Sequence, residues 1–275
     1  MNKSTKFKKY KRRLPLAVRL LIVLGAAVLA FLMILLILHF CGIRYITVTR
    51  PDGGEIRFIG RVGKDDQPIA GTIYFADGTS AAVDVESGVL NYSDGTAYKG
   101  GLSEDFRRDG EGTLVYANGD RYTGDFVLDK LTGKGVYEFA SGEKYEGDLV
   151  NGIKQGKGTY TYANGDVYEG GFVSDLRSGE GKLTLADGSH FVGMFVNGIK
   201  QGHGVYTYSN GDVYDGDYDR DMRHGKGTYT WSNGESYTGD FANNTIHGFG
   251  TYTWPNGRAS YTGYFEGGAI KIVTN

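Results

Sequence analysis

A pair of glycines separated by one residue recurs at 110–112, 133–135, 156–158, 179–181, 202–204, 225–227 and 248–250, a period of 23 residues without a slip. A turn dipeptide keeps the same period, at Asn118-Gly119, Ser141-Gly142, Asn164-Gly165, Asp187-Gly188, Asn210-Gly211, Asn233-Gly234 and Asn256-Gly257. Self-similarity at a fixed period makes each copy one supersecondary unit, and a continuous core then forms only where neighbouring copies stack. Asp52-Gly53, Asp77-Gly78 and Asp94-Gly95 carry the turn signal upstream with irregular spacing, as atypical terminal repeats do.

One copy, Gly156 to Phe172, reads GKGTYTYANGDVYEGGF, two β-prone runs around Asn-Gly, the strongest short-range hairpin signal. A loop of Ala163, Asn164 and a left-handed Gly165 pairs Tyr162 with Asp166, Tyr160 with Tyr168 and Gly158 with Gly170. That register collects Tyr160, Tyr162, Tyr168, Phe172 and the glycines on one face, with Thr159, Thr161, Val167 and Glu169 on the other. A strict two-residue loop would scatter the aromatics over both faces. Glycine weakens a strand, so its recurrence implies room for rings to lie across it. A slower period of 46 residues is also present. NGIKQG stands at Asn151–Gly156 and Asn197–Gly202, while Ser174–Gly179 and Arg220–Gly225 share an x-Asp-x-Arg-x-Gly form. These read as alternating loops of a duplicated two-hairpin unit.

The run Tyr145-Glu-Gly-Asp-Leu-Val-Asn-Gly-Ile-Lys-Gln-Gly-Lys-Gly-Thr-Tyr160-Thr-Tyr-Ala-Asn-Gly resembles the MORN (membrane occupation and recognition nexus) repeat, a Tyr-x-Gly followed by Gly-x-Gly-x-Tyr and a turn. The resemblance covers 98–263 strongly and about 43–97 weakly. Phe191 replaces the leading Tyr of one copy, and Gly71 and Gly88 stand alone where the pattern has a pair. It implies an elongated single-layer meander of hairpins, and roles in scaffolding, dimerisation and, in some members, membrane attachment.

The expected fold class is therefore all-β: an elongated, single-layer, twisted antiparallel sheet of repeated β-hairpins, preceded by one transmembrane α-helix. Degenerate hairpins are expected over 43–97 and the regular array with its C-terminal cap over 98–275. About twenty strands at ~4.8 Å each would make a sheet on the order of 95 Å long, with no helical stretch after residue 42 to cover it. Composition agrees. The 275 residues include 45 Gly and 21 Tyr without a third-residue glycine period, and 40% are hydrophobic, which excludes collagen and argues against disorder.

From Leu20 to Leu38 the chain reads LLIVLGAAVLAFLMILLIL, an uncharged run whose helix spans roughly 29 Å against a hydrocarbon core of about 30 Å. A transmembrane helix is expected over 14–41. The competing reading, a cleaved signal peptide, wants a shorter apolar core and small residues after it, where this chain has His39, Phe40 and Cys41. Acylation of Cys41 would want a small residue before it, so an inert membrane-edge thiol is favoured. Lys3, Lys6, Lys8, Lys9, Lys11, Arg12 and Arg13 make 1–13 a basic tail, expected on the cytoplasmic side of the cell membrane with the repeat body outside. With Arg19 these leave 22 Lys and Arg against all 32 Asp and Glu after residue 41, a formal charge of −10 on the body.

The common chemistries find no support. The Gly-x-Gly pairs lead into strands rather than a helix N-terminus, which argues against nucleotide binding. Asp215, Asp217, Asp219 and Asp221 hint at calcium, but an EF-hand loop needs Gly at Arg220 and Glu at Lys226. His224 and His247 hold equivalent positions about 9.5 Å apart, too far for an ordinary shared zinc. A flat repetitive sheet offers no cleft for a nucleophile and its base. Asn91-Tyr-Ser93 and Asn243-Asn-Thr245 match glycosylation acceptors. No catalytic residue, cofactor or metal is expected.

What remains is an aromatic stripe in register: Tyr160, Tyr162, Tyr168, Tyr206, Tyr208, Tyr214, Tyr229, Trp231, Tyr237, Tyr252, Trp254 and Tyr261. One reading makes these rings the core and nothing more; the other adds a partner surface, since in a single layer a ring packed sideways on its neighbours still offers an edge or hydroxyl. The sequence thus reads as a non-enzymatic, membrane-anchored scaffold whose sheet engages a protein or a second copy. The alternative is an extracytoplasmic carbohydrate-binding module that stacks surface or wall glycans on the Tyr and Trp rings. Nucleic acid and anionic lipid are not expected on the acidic body, Lys154 and Lys200 of the NGIKQG loops being local exceptions.

Overall fold

The computed structural model describes residues 15–255 and 258–271. The basic tail and the Asn256-Gly257 turn lie outside the described residues. The chain divides into two compact units, Met1–Glu86 and Ser87–Asn275.

The first unit opens with helix α1, Leu16–Phe40, whose 25 residues extend the expected apolar run at both ends and include none that is buried. Its most apolar stretch has a mean hydropathy of 3.2, enough to cross a membrane by length and composition and equally compatible with a signal sequence. The helix stops where Gly42 turns left-handed (φ +69°) and donates its N–H to the His39 carbonyl at 3.1 Å. Arg44 Nη1 donates to that same carbonyl at 3.1 Å. Strands β1 (Ile43–Thr49), β2 (Glu55–Val62), β3 (Pro68–Tyr74) and β4 (Ser80–Asp84) follow as an antiparallel meander. Gly71, alone in its strand, faces Gly60 on the neighbouring one, and the Phe58 ring lies over both. The glycine pair that the fold needs is thus a cross-strand pair, and the degenerate region retains it.

The second unit is a run of consecutive antiparallel hairpins. Its strands are β5 (Val89–Tyr92), β6 (Ala97–Leu102), β7 (Arg108–Val115), β8 (Arg121–Val127), β9 (Lys130–Glu138), β10 (Lys144–Val150), β11 (Ile153–Thr161) and β12 (Val167–Val173). Then come β13 (Leu176–Thr184), β14 (His190–Val196), β15 (Ile199–Thr207), β16 (Val213–Asp219), β17 (Met222–Thr230), β18 (Ser236–Ala242), β19 (Thr245–Thr253), β20 (Tyr261–Glu266) and β21 (Ala269–Ile270). The register is the expected one. Tyr160 pairs with Tyr168 and Gly158 with Gly170, Tyr162 N–H reaches the Asp166 carbonyl at 2.8 Å, and Gly165 has φ +91°.

The opposite edge differs from the sequence reading. NGIKQG is not a loop: only Asn151-Gly152 leaves the ladder, while Ile153 pairs with Val150 and Lys154 with Leu149. Both turn residues have positive φ, +53° and +82°, the geometry of a type I′ turn whose twist matches its strands. Ser174-Asp175, Asn197-Gly198 and Arg220-Asp221 turn in the same way.

The 46-residue period has a structural cause. Gln155 Oε1 accepts the Ser174 N–H at 3.1 Å, and Asp175 Oδ1 accepts the Lys154 N–H at 2.9 Å. Gln201 with Arg220 (3.2 Å) and Asp221 with Lys200 (3.0 Å) repeat this reciprocal clamp. Between the clamped pairs the junction is made by Arg177, whose Nη2 donates to the Gly198 carbonyl at 2.7 Å. Adjacent turns therefore alternate in role, and their sequences alternate with them.

Candidate functional site

The aromatic stripe divides into two rows. Tyr168, Tyr214 and Tyr237 form the inner row and are fully buried. Each turns its ring across a cross-strand glycine pair and donates its hydroxyl to the carbonyl three residues on: Gly171 at 3.0 Å, Asp217 at 2.9 Å and Asp240 at 3.1 Å. A methyl added at Gly170 would stand 2.7 Å from Tyr168 Cζ, and one at Gly181 would stand 2.6 Å from Cε2. Tyr168 meets Phe172 and Phe195 edge to face at 5.3 and 5.1 Å. Tyr261 covers Gly263 in the same manner and is half-buried.

The outer row is half-buried and runs across the strands as a ladder. From Tyr206 to Tyr208 the ring centroids are 4.4 Å apart, then 5.9 Å to Tyr229, 4.8 Å to Trp231, 5.3 Å to Tyr252 and 4.9 Å to Trp254. A second stretch joins Tyr160 to Tyr162 at 4.6 Å. It continues back through Phe139, Tyr137 and Tyr116, which sequence reasoning left out although they hold the same positions one and two periods earlier. Leu183 and Leu185 hold the equivalent positions in the next repeat and interrupt the ladder.

Carboxylates beside the turns serve the next repeat. Asp212, itself buried, accepts the Tyr229 hydroxyl at 2.7 Å and the Ser232 N–H at 2.9 Å. These bonds, the hydroxyl first, hold its carboxyl below the ordinary range. Asp120 receives the Ala140 N–H at 2.8 Å and the Tyr137 hydroxyl at 3.2 Å, and Glu235 receives the Tyr252 hydroxyl at 2.7 Å. Burial, with the neighbouring carboxylate, pushes Tyr252 up to about 12. Asp148 and Asp217 accept backbone N–H groups of Lys157 and Lys226, each at 3.2 Å, at the bulges. The four aspartates that hinted at calcium are each engaged by protein groups, with His203 placed between two of them, its Nδ1 3.9 Å from Asp217 Oδ1. Asp215 meets His203 Nε2 at 3.1 Å, Asp217 takes the bulge amide, Asp219 takes Gln201 Nε2 at 3.1 Å, and Asp221 takes the Lys200 amide.

A row of cations on the ring face is the feature that sequence reasoning missed. Lys154, Arg177, Lys200 and Arg223 stand 23 residues apart, a spacing that was available to find them. Lys154 lies 5.3 Å from the Tyr160 centroid, Arg177 5.0 Å from Phe195, Lys200 5.3 Å from both Phe191 and Tyr206, and Arg223 5.3 Å from Tyr229. Burial holds the Lys200 ammonium below its ordinary pKa. Lys154 and Lys200 are therefore strand residues laid over rings rather than a basic loop patch. The two-residue turn ends before them and brings them onto the aromatic face.

The MORN repeat model matches residues 107–121, 122–144, 145–167, 168–190, 191–213, 214–236 and 237–257, and the chain belongs to the MORN repeat family. No curated protein sequence matches it. Among solved structures it is similar to the TCP domain of SAS-4 (dCPAP) from Drosophila melanogaster, in complex with a proline-rich motif of Ana2 (dSTIL). That match has 17% identity and a TM-score of 0.34, over 62% of this chain and 86% of that one. Another is the TCP10 domain of Danio rerio CPAP in complex with a peptide of Danio rerio STIL, with 15% identity and a TM-score of 0.38, over 80% and 99% of the two chains. Streptogramin B lyase matches with 13% identity and a TM-score of 0.18, over 86% and 84%.

Proposed function

We propose that this chain is a non-enzymatic, membrane-anchored interaction protein. Helix α1 holds it in the cell membrane with the repeat body outside, and the outer Tyr/Trp ladder contacts a protein partner. The observation that supports the reading most is the ladder itself. Six rings from Tyr206 to Trp254, carried by every second strand and the turn that follows it, succeed one another without a break and stay half-buried. Among the described residues every substantial contact between elements of this unit joins sequence neighbours in the sheet, and none of these elements forms a second layer over that face. Rings with one side packed and one side open suit a protein surface, because Tyr and Trp supply large contact area at low entropic cost. The cations on the same face are held by rings and turn acceptors, which suits a protein partner better than a polyanion.

A photo-crosslinking amino acid in place of Trp231 or Tyr252, in the full chain in native membranes, tests the ladder. Adducts with a protein at those positions, and none from Thr228 on the opposite face, are expected. Adducts with glycan would establish the carbohydrate reading instead. Protease added to intact cells should remove the repeat body, and protection until the cells are opened would reverse the orientation.

A further inference from the structure

Strand β1 is an open edge of the first unit. Among the described strands it pairs with β2 alone, and Tyr45, Thr47 and Thr49 are exposed on it. The ladder fixes which main-chain groups are left over. Val62 N–H reaches the Gly42 carbonyl at 3.0 Å and Arg50 N–H reaches the Gly54 carbonyl at 2.7 Å, so the even-numbered residues of β1 point their main-chain groups at β2. Those of Tyr45, Thr47 and Thr49 therefore point the other way, where a further strand would lie. Proteins blunt such edges with proline, lysine, a bulge or brevity. β1 runs seven residues in unbroken register and has none of these, whereas β21 of the second unit is two residues long.

The face beside this edge can read side chains. Tyr45 is opposite Ile59, and Thr47 is opposite Arg57, which is in turn opposite Tyr74. These residues, Thr47 excepted, line a cavity of about 540 Å³ together with Glu55 and Phe75. Tyr45, Ile59 and Tyr74 are exposed apolar surface there, from 41% to 61%. Arg57 is exposed and makes no ion pair or hydrogen bond among the described residues, whereas Arg44 is tied to Asp66 at 3.6 Å and to the His39 carbonyl at 3.1 Å. We propose that β1 takes up an extended segment of another protein by strand addition, with an acidic side chain opposite Thr47 and an apolar one opposite Tyr45. Main-chain bonds to Tyr45, Thr47 and Thr49 supply affinity, and the cavity selects alternate side chains. The added strand lies two strands from β2, about 9.6 Å, a gap that the Arg57 guanidinium and a glutamate span together over the small Thr47. The apolar side chain covers Tyr45. A second copy centred on Thr47 would bring two Arg57 guanidiniums toward each other, so charge favours a different chain. This site is separate from the ring ladder and goes beyond it.

The test is fluorescence anisotropy of a labelled probe peptide, alternating threonine and valine around one central glutamate, on the full chain in detergent micelles. The glutamate probe should bind at least tenfold tighter than the same peptide with a central lysine, and Arg57→Glu should reverse that preference. Thr47→Pro removes an N–H that points outward, as proline on an edge strand does, so it should abolish binding and leave the circular dichroism spectrum unchanged. The probe N-methylated at every second amide, that of the glutamate included, keeps its side chains and should not bind. Absence of binding, equal binding of the two probes, or binding indifferent to Thr47→Pro or to N-methylation would overturn the proposal. Oxidative self-linking of Thr47→Cys in a Cys41→Ser chain would make a second copy the occupant and overturn it too. Trp231 lies in the other unit, so adducts there report on the ladder whatever the fate of this edge.

Discussion

Tyr229 donates its hydroxyl to Asp212 at 2.7 Å, joining residues 17 apart in sequence, and the same carboxylate accepts the Ser232 amide at 2.9 Å. One turn aspartate therefore binds both a ring of the outer ladder and the backbone of the next turn. Asp212→Ala leaves both donors without their acceptor and should cost about 2 kcal/mol. Asp187→Ala, which removes a bond to the Ser189 amide within its own turn, should cost less than about 1 kcal/mol. Urea unfolding of the two variants checks the difference.

Acid should weaken the array. Asp212 and Asp120 are held below their ordinary range by the bonds they accept, so the stabilisation is present above about pH 4 and lost as pH falls through the folded-state values. In alkali the sign reverses. Burial pushes Tyr98, Tyr122 and Tyr145 up to about 12 by disfavouring the phenolate. Their contribution is intact below about pH 10 and disappears as pH rises toward the folded values. Phenolate absorbance and circular dichroism recorded together should show ionisation coinciding with unfolding. Gradual ionisation near pH 10 with the fold intact would contradict the burial.

Gly170→Ala and Gly188→Ala separate two uses of glycine. At Gly170 the new methyl meets the Tyr168 ring and the Gly181 backbone, and about 3 kcal/mol should be lost. At Gly188 nothing lies within 4 Å and only the left-handed backbone (φ +88°) objects, at about 1 kcal/mol. Thermal melts of the two variants should rank in that order.

Tyr168→Phe should be mild and Tyr168→Ala severe. Phe191 fills the equivalent place in β14 without a hydroxyl, so loss of the bond to Gly171 should cost about 1 kcal/mol. Removing the ring opens a cavity over two glycines and should cost about 3–5 kcal/mol. Thr161→Ala on the other face should cost well under 1 kcal/mol. Equal melting shifts for Tyr168→Ala and Thr161→Ala would invert the face assignment.

Arg223 lies over Tyr229 at 5.3 Å and Tyr214 at 5.6 Å, and donates through Nη2 to the Asn244 carbonyl. Arg223→Ala should cost about 1–2 kcal/mol, with Arg223→Lys in between because the fork to Asn244 is lost while the charge over the rings remains. Denaturant midpoints for the three chains check the order.

The hairpin, its register and the face of Tyr160, Tyr162 and Tyr168 were legible in sequence, because they follow from neighbours within one copy. Asn-Gly chemistry sets the turn, and the two-residue period of a strand sets the face. Tertiary structure alone decided which rings are core and which are open. Tyr168 and Tyr160 are both tyrosines on one face, yet only Tyr168 has a glycine pair beneath it and Phe195 of the next repeat beside it. The same holds for Asp212, read as part of a diffuse acidic field and found binding Tyr229, and for Lys154 and Lys200, read as loop cations and found on rings. Their partners are contributed by different strands, in several cases from the next copy, and become neighbours only when strands stack, so local preference carries no trace of them. The 46-residue alternation marks that boundary. It is visible in the string, and its cause, a reciprocal clamp between Gln155 and Asp175 at adjacent turns, exists only once the copies pack.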